Sequence, residues 1–460
     1  MRPLSPVDST FLTAETRQTP MHVGSLLLLR PPRGSGEGYL QELCRDFSSV
    51  AEFRPPFDQK LVHPPSRLGM PHWETDRELD AEYHFRHSAL PHPGRYRELF
   101  VLVSRLHGTL LDRSRPLFEY HIIEGLESGQ FAIYAKVHHA VLDGIAGMKL
   151  LKASLSESED ERKPYPWSRE ADGLRPKRER SGGALDARKV LEMAQAQLGT
   201  VPGVARAAVR ALESFAKPRD ERMAMPFDAP RSAINAPITG ARRFVAQSYA
   251  LDRVDRIRAA YGATVNDIIL AMCASALRRY LQEFGGGVPD KPLTAMTPIS
   301  FRPEGAEGLG NAVTAVLVNL GTHVADPLAR LELIRTSMTD GKNLVKGLTL
   351  AEVTLFTSLT FAPLMAPTMF GVSGRMPATN LIISNVPGPT KRLYWNGALM
   401  EGMYPVSIVT HGLAMNITVT SYAGSLDFGI VACRRTVPRV QRLIDFLEEG
   451  LAELERGAGL

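Results

Sequence analysis

Two histidines stand side by side in "KVHHAVLDGIAGM", residues 136–148, and the pair Asp143-Gly144 begins four residues after the second of them. The chain has only 12 histidines, so the doublet invites four readings: a metal site, a base for a nucleophile, a base acting directly on a substrate, or no chemistry. "FAIYAKVHH" (131–139) reads as a strand, where successive side chains point to opposite faces. Phe131, Ile133, Ala135, Val137 and His139 then share an apolar face, and Ala132, Tyr134, Lys136 and His138 a mixed one. Imidazoles pointing opposite ways disfavour one shared ion, and neither HExxH nor a Cys/His cluster is present. No serine lies in a GxSxG elbow and no cysteine sits near a basic cluster, so a nucleophile is not evident.

His139 at the dry end of a strand is a candidate base. Partial desolvation favours the neutral imidazole, which accepts a proton near pH 7. The simplest chemistry has it deprotonate a substrate directly, without an acyl-enzyme. The alternative, a buried histidine bonded to backbone, stays open. Asp143 follows a turn and precedes helical spacing in "GIAGMKLLKASL" (144–155), where it caps the helix or pairs with an arginine. Gly144 and Gly147 allow close backbone packing there. Asn266 stands in the first turn of a second helix, as a cap or as a functional donor.

These residues need a scaffold. "HVGSLLLLR" (22–30), "FEYHIIEGL" (118–126) and "QFAIYAKVHH" (130–139) read as strands, and "YRELFVLVSRLHGTLLD" (96–112) as a helix with Leu99, Val103, Leu106 and Leu110 in register. A polar connection spans 156–240, with helices expected at about 184–199 and 203–217. In the second half, 265–284 carries a stripe of Ile268, Ile269, Met272, Ala276 and Leu277. Residues 312–324, 379–387, 413–424 and 425–433 read as strands, and 439–455 as an amphipathic closing helix. Strands and helices alternate in both halves, which predicts an α/β or α+β protein with two sheet-bearing lobes, divided as 1–155, 156–240 and 241–460.

At 460 residues the chain exceeds one core, and 44% apolar with 22% charged residues is ordinary for a soluble globular protein. Cys44, Cys273 and Cys433 form no CxxC, which argues against a disulfide framework or zinc module and suits a reducing cytosol. "MRPLSPVDSTFL" shows no signal peptide. The net charge is +5, and residues 161–222 alone hold 14 basic and 9 acidic residues. Their densest run, "RPKRER" (175–180), reads as a solvated linker or a patch for anionic lipid. Nucleic acid is disfavoured because no aromatic residues are interleaved. Residues 353–374 carry no charge, long enough to cross a bilayer, but Pro363 and Pro367 interrupt them, so a buried or interfacial hairpin is expected.

"HHAVLDG" (138–144) matches HHxxxDG, the motif of acyl-CoA-dependent acyltransferases such as chloramphenicol acetyltransferase and the condensation domains. Its company is more specific. "LSPVDSTFL" (4–12), "TPMHVG" (19–24), "RPLFEYHIIEGL" (115–126), "TVNDIILAMCASALR" (264–278), "NLIISNVPGP" (380–389), "YWNGA" (394–398) and "MNITVTSYAGSLDFGI" (415–430) occur in order along the whole chain. Together they resemble the bacterial bifunctional wax ester synthase/diacylglycerol acyltransferases. One departure is Phe118, where the family has Trp after Pro-Leu.

The resemblance implies two chloramphenicol-acetyltransferase-like lobes, each a mixed sheet flanked by helices, around a tunnel that fatty acyl-CoA and a fatty alcohol or diacylglycerol enter from opposite sides. It makes His139 the general base and His138 and Asp143 structural supports beside Gly144. Asn266 becomes a donor toward the carbonyl oxygen, worth about 3 kcal/mol. Asp267 packs or caps, or contacts substrate. Ser384 and Asn385 in "SNVPGP" (384–389) and the turn-like "PISFRP" (298–303) either edge the tunnel or are merely rigid turns. Met21 and His22 belong to a signature without assigned chemistry, and Arg302 or the basic linker is the candidate for the CoA phosphates. No bound cofactor or metal is expected, acyl-CoA being a co-substrate. The setting implied is cytoplasmic, peripheral to an anionic membrane or lipid-inclusion surface. Rival readings are an HHxxxDG transferase with another acceptor and a non-catalytic lipid-binding relative.

Overall fold

A computed structural model describes residues 2–4, 6–36, 38–50, 52–63, 71–142, 144–174, 224–301, 312–349, 352–353 and 377–460. Asp143, Arg302, the basic run 175–180, the helices expected at 184–199 and 203–217, and the uncharged stretch beyond Val353 lie outside the described residues.

The helices are α1 (Pro6–Ala14), α2 (Tyr39–Ser48), α3 (Ala81–His84), α4 (Tyr96–His107), α5 (Gly144–Ala153), α6 (Leu251–Tyr261), α7 (Val265–Phe284), α8 (Pro327–Val345) and α9 (Arg442–Gly457). The strands are β1 (Arg2–Pro3), β2 (His22–Arg30), β3 (Gln59–Val62), β4 (His72–Thr75), β5 (Phe85–Ala89), β6 (Phe118–Glu124), β7 (Phe131–His138), β8 (Arg242–Ala250), β9 (Thr294–Phe301), β10 (Ala312–Asn319), β11 (Leu381–Val386), β12 (Tyr394–Trp395), β13 (Ala398–Val406), β14 (Met415–Tyr422) and β15 (Ser425–Cys433).

Two six-stranded mixed sheets carry the architecture, ordered β12-β13-β2-β7-β6-β5 and β10-β9-β11-β14-β15-β8, with a small β1-β4-β3 sheet beside the first. This is the α/β fold with two sheet-bearing lobes. The lobes are not collinear with the chain. β12 and β13 belong to the C-terminal half, yet β13 pairs antiparallel with β2, Met403 opposite Leu27, and completes the N-terminal sheet. On its way β13 lies against the second sheet: a Cβ on Gly429 of β15 would sit 1.9 Å from the Pro405 carbonyl oxygen, so only glycine fits there.

The alternation expected in β7 is realised. Phe131, Ile133 and Val137 join Leu27, Leu29, Phe118, Tyr120 and Ile122 in one apolar cluster. Tyr134, Lys136 and His138 face the other way, and all three are buried. Phe118, the departure from the family pattern, is buried against His84 (ring centroids 4.2 Å, stacked) and Phe57 (5.1 Å, edge-on). An aromatic of smaller size keeps that packing.

The helix expected over 96–112 stops at His107, and the reason lies in who takes its last carbonyls. Lys136 Nζ donates to Leu106 O (3.2 Å) and Thr109 O (3.1 Å), and His22 Nε2 donates to His107 O (2.8 Å). Side-chain donors at a helix C-terminus satisfy groups with no intrahelical partner and favour the negative end of its dipole. α7 begins at Val265 as expected, but its cap is Thr264 and not Asn266: the Thr264 side chain accepts the Asp267 N–H in a reciprocal capping box. Its predicted stripe is too narrow, however: Leu270, Ala271, Cys273 and Ala274 are buried as well, as in a helix covered on all sides.

Residues 298–301 of "PISFRP" are not a turn, and the rest lies outside the described residues. Residues 298–301 continue β9, paired with β10 (Ala315 opposite Pro298). A proline forfeits no ladder bond on a free edge, and here β9 pairs with β11 only at Ala295 and Met296. Among the described residues no single helix is long and apolar enough to cross a membrane. The bent pair α6–α7 passes on composition, but α7 is packed inside the C-terminal core.

Candidate active site

β2 and β7 run antiparallel with His22 opposite His138, and the pairing continues one residue further, where the His139 N–H donates to Met21 O (2.9 Å). The chain then turns sharply. The His138 carbonyl accepts the N–H groups of Val141 (2.9 Å) and Leu142 (3.2 Å), which leads toward α5.

The two imidazoles are in unlike places. The His138 side chain is wholly buried. Its Nδ1 accepts the Ala140 N–H (3.1 Å). A ring nitrogen that accepts carries no proton, so the N–H of this ring is on Nε2. That Nε2–H points toward Glu15 Oε1, 3.4 Å away, an electrostatic contact longer than a good hydrogen bond. With its lone pair committed and its N–H enclosed against Glu15, the wholly buried His138 ring is not open to a substrate. His139 is half-buried and stacks face to face on Phe11 from α1, centroids 4.0 Å apart and planes 22° apart.

Glu15 was invisible to sequence reasoning, and so were Phe11 and Arg113. The Glu15 side chain is 2% exposed. Oε1 also accepts the Met21 N–H (3.1 Å), and Oε2 accepts from Arg113 Nε (3.1 Å) and Nη2 (2.9 Å). Burial pushes this carboxyl up, but His138, the Met21 N–H and Arg113 outweigh it and hold it below the usual carboxylate range. The group is therefore an anion inside the fold. Its only signal in the sequence was one acidic residue in the polar run "AETRQTP", which looks like any surface carboxylate.

Beneath the doublet, the polar face of the sheet forms a connected floor. Lys136 Nζ meets Glu119 Oε2 at 2.9 Å, and Glu119 also receives His121 Nε2 (3.2 Å) and Arg86 Nη2 (3.3 Å). Burial alone would raise Glu119; the His121 hydrogen bond and the Lys136 ammonium bring it down to about 2. Burial in turn pulls the Lys136 ammonium down, against the attraction of Glu119. His107 Nε2 donates to Ser407 O (2.9 Å), so its Nδ1 accepts the Tyr134 hydroxyl (2.8 Å). Burial lowers His107 to about 3 and takes His22 well below its ordinary value. Both rings are neutral. Met21 and His22, given no chemistry from sequence, thus supply a backbone bracket and a floor.

The remaining candidates lie in the C-terminal lobe or on α5. Asn266, at the second position of α7, is half-buried and makes no side-chain hydrogen bond to a described residue. Asp267 is committed to the cap, its Oδ2 accepting the Thr264 N–H (2.8 Å) and hydroxyl (2.7 Å). Ser384 and Asn385 are half-buried on β11 opposite Thr418 and Val419. Strand alternation sends them to opposite faces, Asn385 with Leu381 and Ile383, Ser384 with Ile382. Gly144 is exposed, and a Cβ there would meet no described atom within 4 Å. The close packing expected at that glycine is absent; at Gly147 a Cβ would touch Leu142 at 3.4 Å.

The chain is similar to known proteins along its whole length. The wax ester synthase/diacylglycerol acyltransferase catalytic domain matches residues 4–269, and the C-terminal domain of the same family matches 309–455. A Mycobacterium tuberculosis chain bearing a diacylglycerol O-acyltransferase name is 44% identical over 459 residues, covering 99% of this chain and all of the relative. The O-acyltransferase WSD of Acinetobacter baylyi is 41% identical over 457 residues, covering 99% and 97%. The solved wax ester synthase/diacylglycerol acyltransferase of Marinobacter aquaeolei VT8 superposes with a TM-score of 0.80 at 40% identity, both chains fully covered.

Proposed function

The chain belongs to the wax ester synthase/diacylglycerol acyltransferase family and is an acyl-CoA-dependent O-acyltransferase; from that premise we propose that it esterifies a long-chain fatty alcohol or diacylglycerol, with His139 as general base. The acceptor hydroxyl gives its proton to the His139 imidazole as its oxygen attacks the thioester carbonyl. The tetrahedral intermediate collapses by breaking the carbon–sulfur bond. CoA thiolate leaves and takes the proton back from the imidazolium, so no acyl-enzyme forms and no resident cofactor enters. Asn266 donates toward the carbonyl oxygen as charge develops there. Asp143 and His138 support the loop.

One observation carries the choice of histidine. His138 is wholly buried, its Nδ1 taken by the Ala140 N–H and its Nε2 enclosed against Glu15, whereas the His139 ring is half-buried on the face of Phe11 and so partly accessible. The uncharged 353–374 stretch and the basic connector fit an acceptor met at an anionic lipid surface on the cytoplasmic side.

His139→Ala is expected to fold with an unchanged melting temperature and to lose about 10²- to 10⁴-fold in ester formation. Turnover by that variant at the wild-type rate refutes the base assignment. Palmitoyl-CoA offered with hexadecanol, dioleoylglycerol and hexadecylamine in parallel identifies the acceptor, and amide formation exceeding both esters overturns the lipid-alcohol reading.

A further inference from the structure

Glu15 has no part in the chemistry above, yet its carboxylate sits where three chain segments meet. Its side chain is 2% exposed, and a buried charge persists only where partners compensate it. Arg113 donates twice to Oε2 and once more, through Nη2, to Leu12 O (2.6 Å), which ties the end of α1 to the loop after α4. Oε1 takes the Met21 N–H and faces His138 Nε2. The same Met21 accepts the His139 N–H through its carbonyl. Glu15 therefore touches the entry of β2 and the exit of β7 together. The helix that delivers it also delivers Phe11 to the face of the His139 ring.

We propose that Glu15, held by Arg113, is a positioning residue that sets the His138 tautomer and, through Met21 and the turn after His138, the place of the His139 imidazole. The proposal rests on His139 being the base. A carboxylate only accepts, so a ring nitrogen facing it must carry the proton. That leaves Nδ1 of His138 to accept the Ala140 N–H, the bond that shapes the turn directly after His139. An amide in place of the carboxylate cannot satisfy both sides. With its oxygen toward Met21 and His138, its NH₂ faces the Arg113 donors; reversed, it faces the Met21 N–H. In the reversed arrangement the NH₂ also faces His138 Nε2, which turns to the other tautomer and gives up the Ala140 bond; in the first the Arg113 grip is lost, and in both the base loses its fixed position. Displacement of a reacting group by about 1 Å costs roughly 100-fold in rate.

The test compares wild type, Glu15→Gln, Arg113→Lys and His139→Ala with palmitoyl-CoA and hexadecanol. It follows kcat, KM, the melting temperature and the ¹⁵N signals of His138 in histidine-labelled protein. Glu15→Gln is expected to lower kcat roughly 10- to 100-fold with KM for palmitoyl-CoA within about twofold, and to abolish the single Nε2–H pattern of His138. Arg113→Lys, which keeps the anion but loses the two-point grip, is expected to fall less, about 3- to 10-fold, at an unchanged melting temperature. If Glu15→Gln does not fold, Arg113→Lys decides: a kcat loss with KM and melting unmoved supports positioning, and unchanged kcat overturns it. Wild-type kcat in a folded Glu15→Gln, or a His138 signal that stays Nε2–H, also overturns it. Full activity in His139→Ala instead removes the base assignment, an outcome separate from the His138 signal.

Discussion

The two six-stranded sheets are alike in size and mixed order but unlike inside. The C-terminal sheet presents Val245, Leu381, Ile383, Ile417 and Ile430 to α7 and α9, all buried in one apolar cluster. Several of its ion pairs lie at the rim, where Arg253 meets Glu455 (2.7 Å) and Arg279 meets Glu449 (3.1 Å), each partly exposed; inside, Asp427 of β15 and Arg242 of β8 are buried on isolated hydrogen bonds rather than in a shared ionic network. The N-terminal sheet is apolar throughout one face, and its other face mixes Leu26, Leu28, Ile123 and Ala132 with polar groups. That second face buries His22, Glu119, His121, Lys136 and His138. Apolar burial is non-directional and forgiving of shape, whereas a buried polar network allows few arrangements and is costly when one member is missing. The difference assigns bulk cohesion to one sheet and the aim of a particular imidazole to the other.

The sharpest way to break that contrast is Lys136→Met, which keeps the length of the side chain but leaves Glu119 with only His121 and Arg86 and frees the carbonyls of Leu106 and Thr109. A loss of about 3–5 kcal/mol in urea unfolding is expected, partly recovered when Glu119→Gln is added. A cost below about 1 kcal/mol for the single change would show that the polar face is not a cooperative unit.

Next in size is acidification. His107 and His22 have native values far below 6.5 because burial disfavours the cation. As pH falls through 6.5 the unfolded chain binds their protons and the native state does not, so stability is lost, by about 2 kcal/mol for His107 at pH 5. Glu119, depressed to about 2 from 4.5, adds a second loss only below pH 4.5, where the unfolded carboxylate takes a proton first. Calorimetry should show the melting temperature falling between pH 7 and 5, and a flat profile there contradicts neutral buried histidines. The smallest effect belongs to the other sheet: Ile417→Val is expected to cost only about 1 kcal/mol with ester formation intact, and a large activity loss would blur the division of labour.

Local pattern carried much of this into the sequence. β2 and β15 span the residues their apolar runs marked, α7 spans the expected 265–284, and alternation in "FAIYAKVH" set Tyr134, Lys136 and His138 on the face opposite Phe131, Ile133 and Val137. Interactions between distant segments leave no local trace. Glu15 is 123 positions from His138 along the chain, so no spacing rule connects them. The end of α4 was missed because the donors that stop it, Lys136 and His22, belong to strands. The full burial of α7 depends on α8 and α9 covering the face its own sequence leaves ambiguous. The partnership of β13 with β2 joins residues from opposite ends of the chain, and neither strand announces the other.

That last pairing bears on how the molecule is made. Leu26–Leu29 of β2 are fully buried only once β13 lies alongside, and β13 ends at Val406. At ~5–20 residues per second, a nascent chain holds that greasy edge unpartnered for roughly twenty seconds to over a minute after β2 emerges. An unpaired apolar edge is a template for aggregation. The first lobe cannot mature during translation ahead of the second, so ribosome-arrested chains stopped before Tyr394 should bind a chaperone such as trigger factor and resist release, while chains extended beyond Val406 let it go.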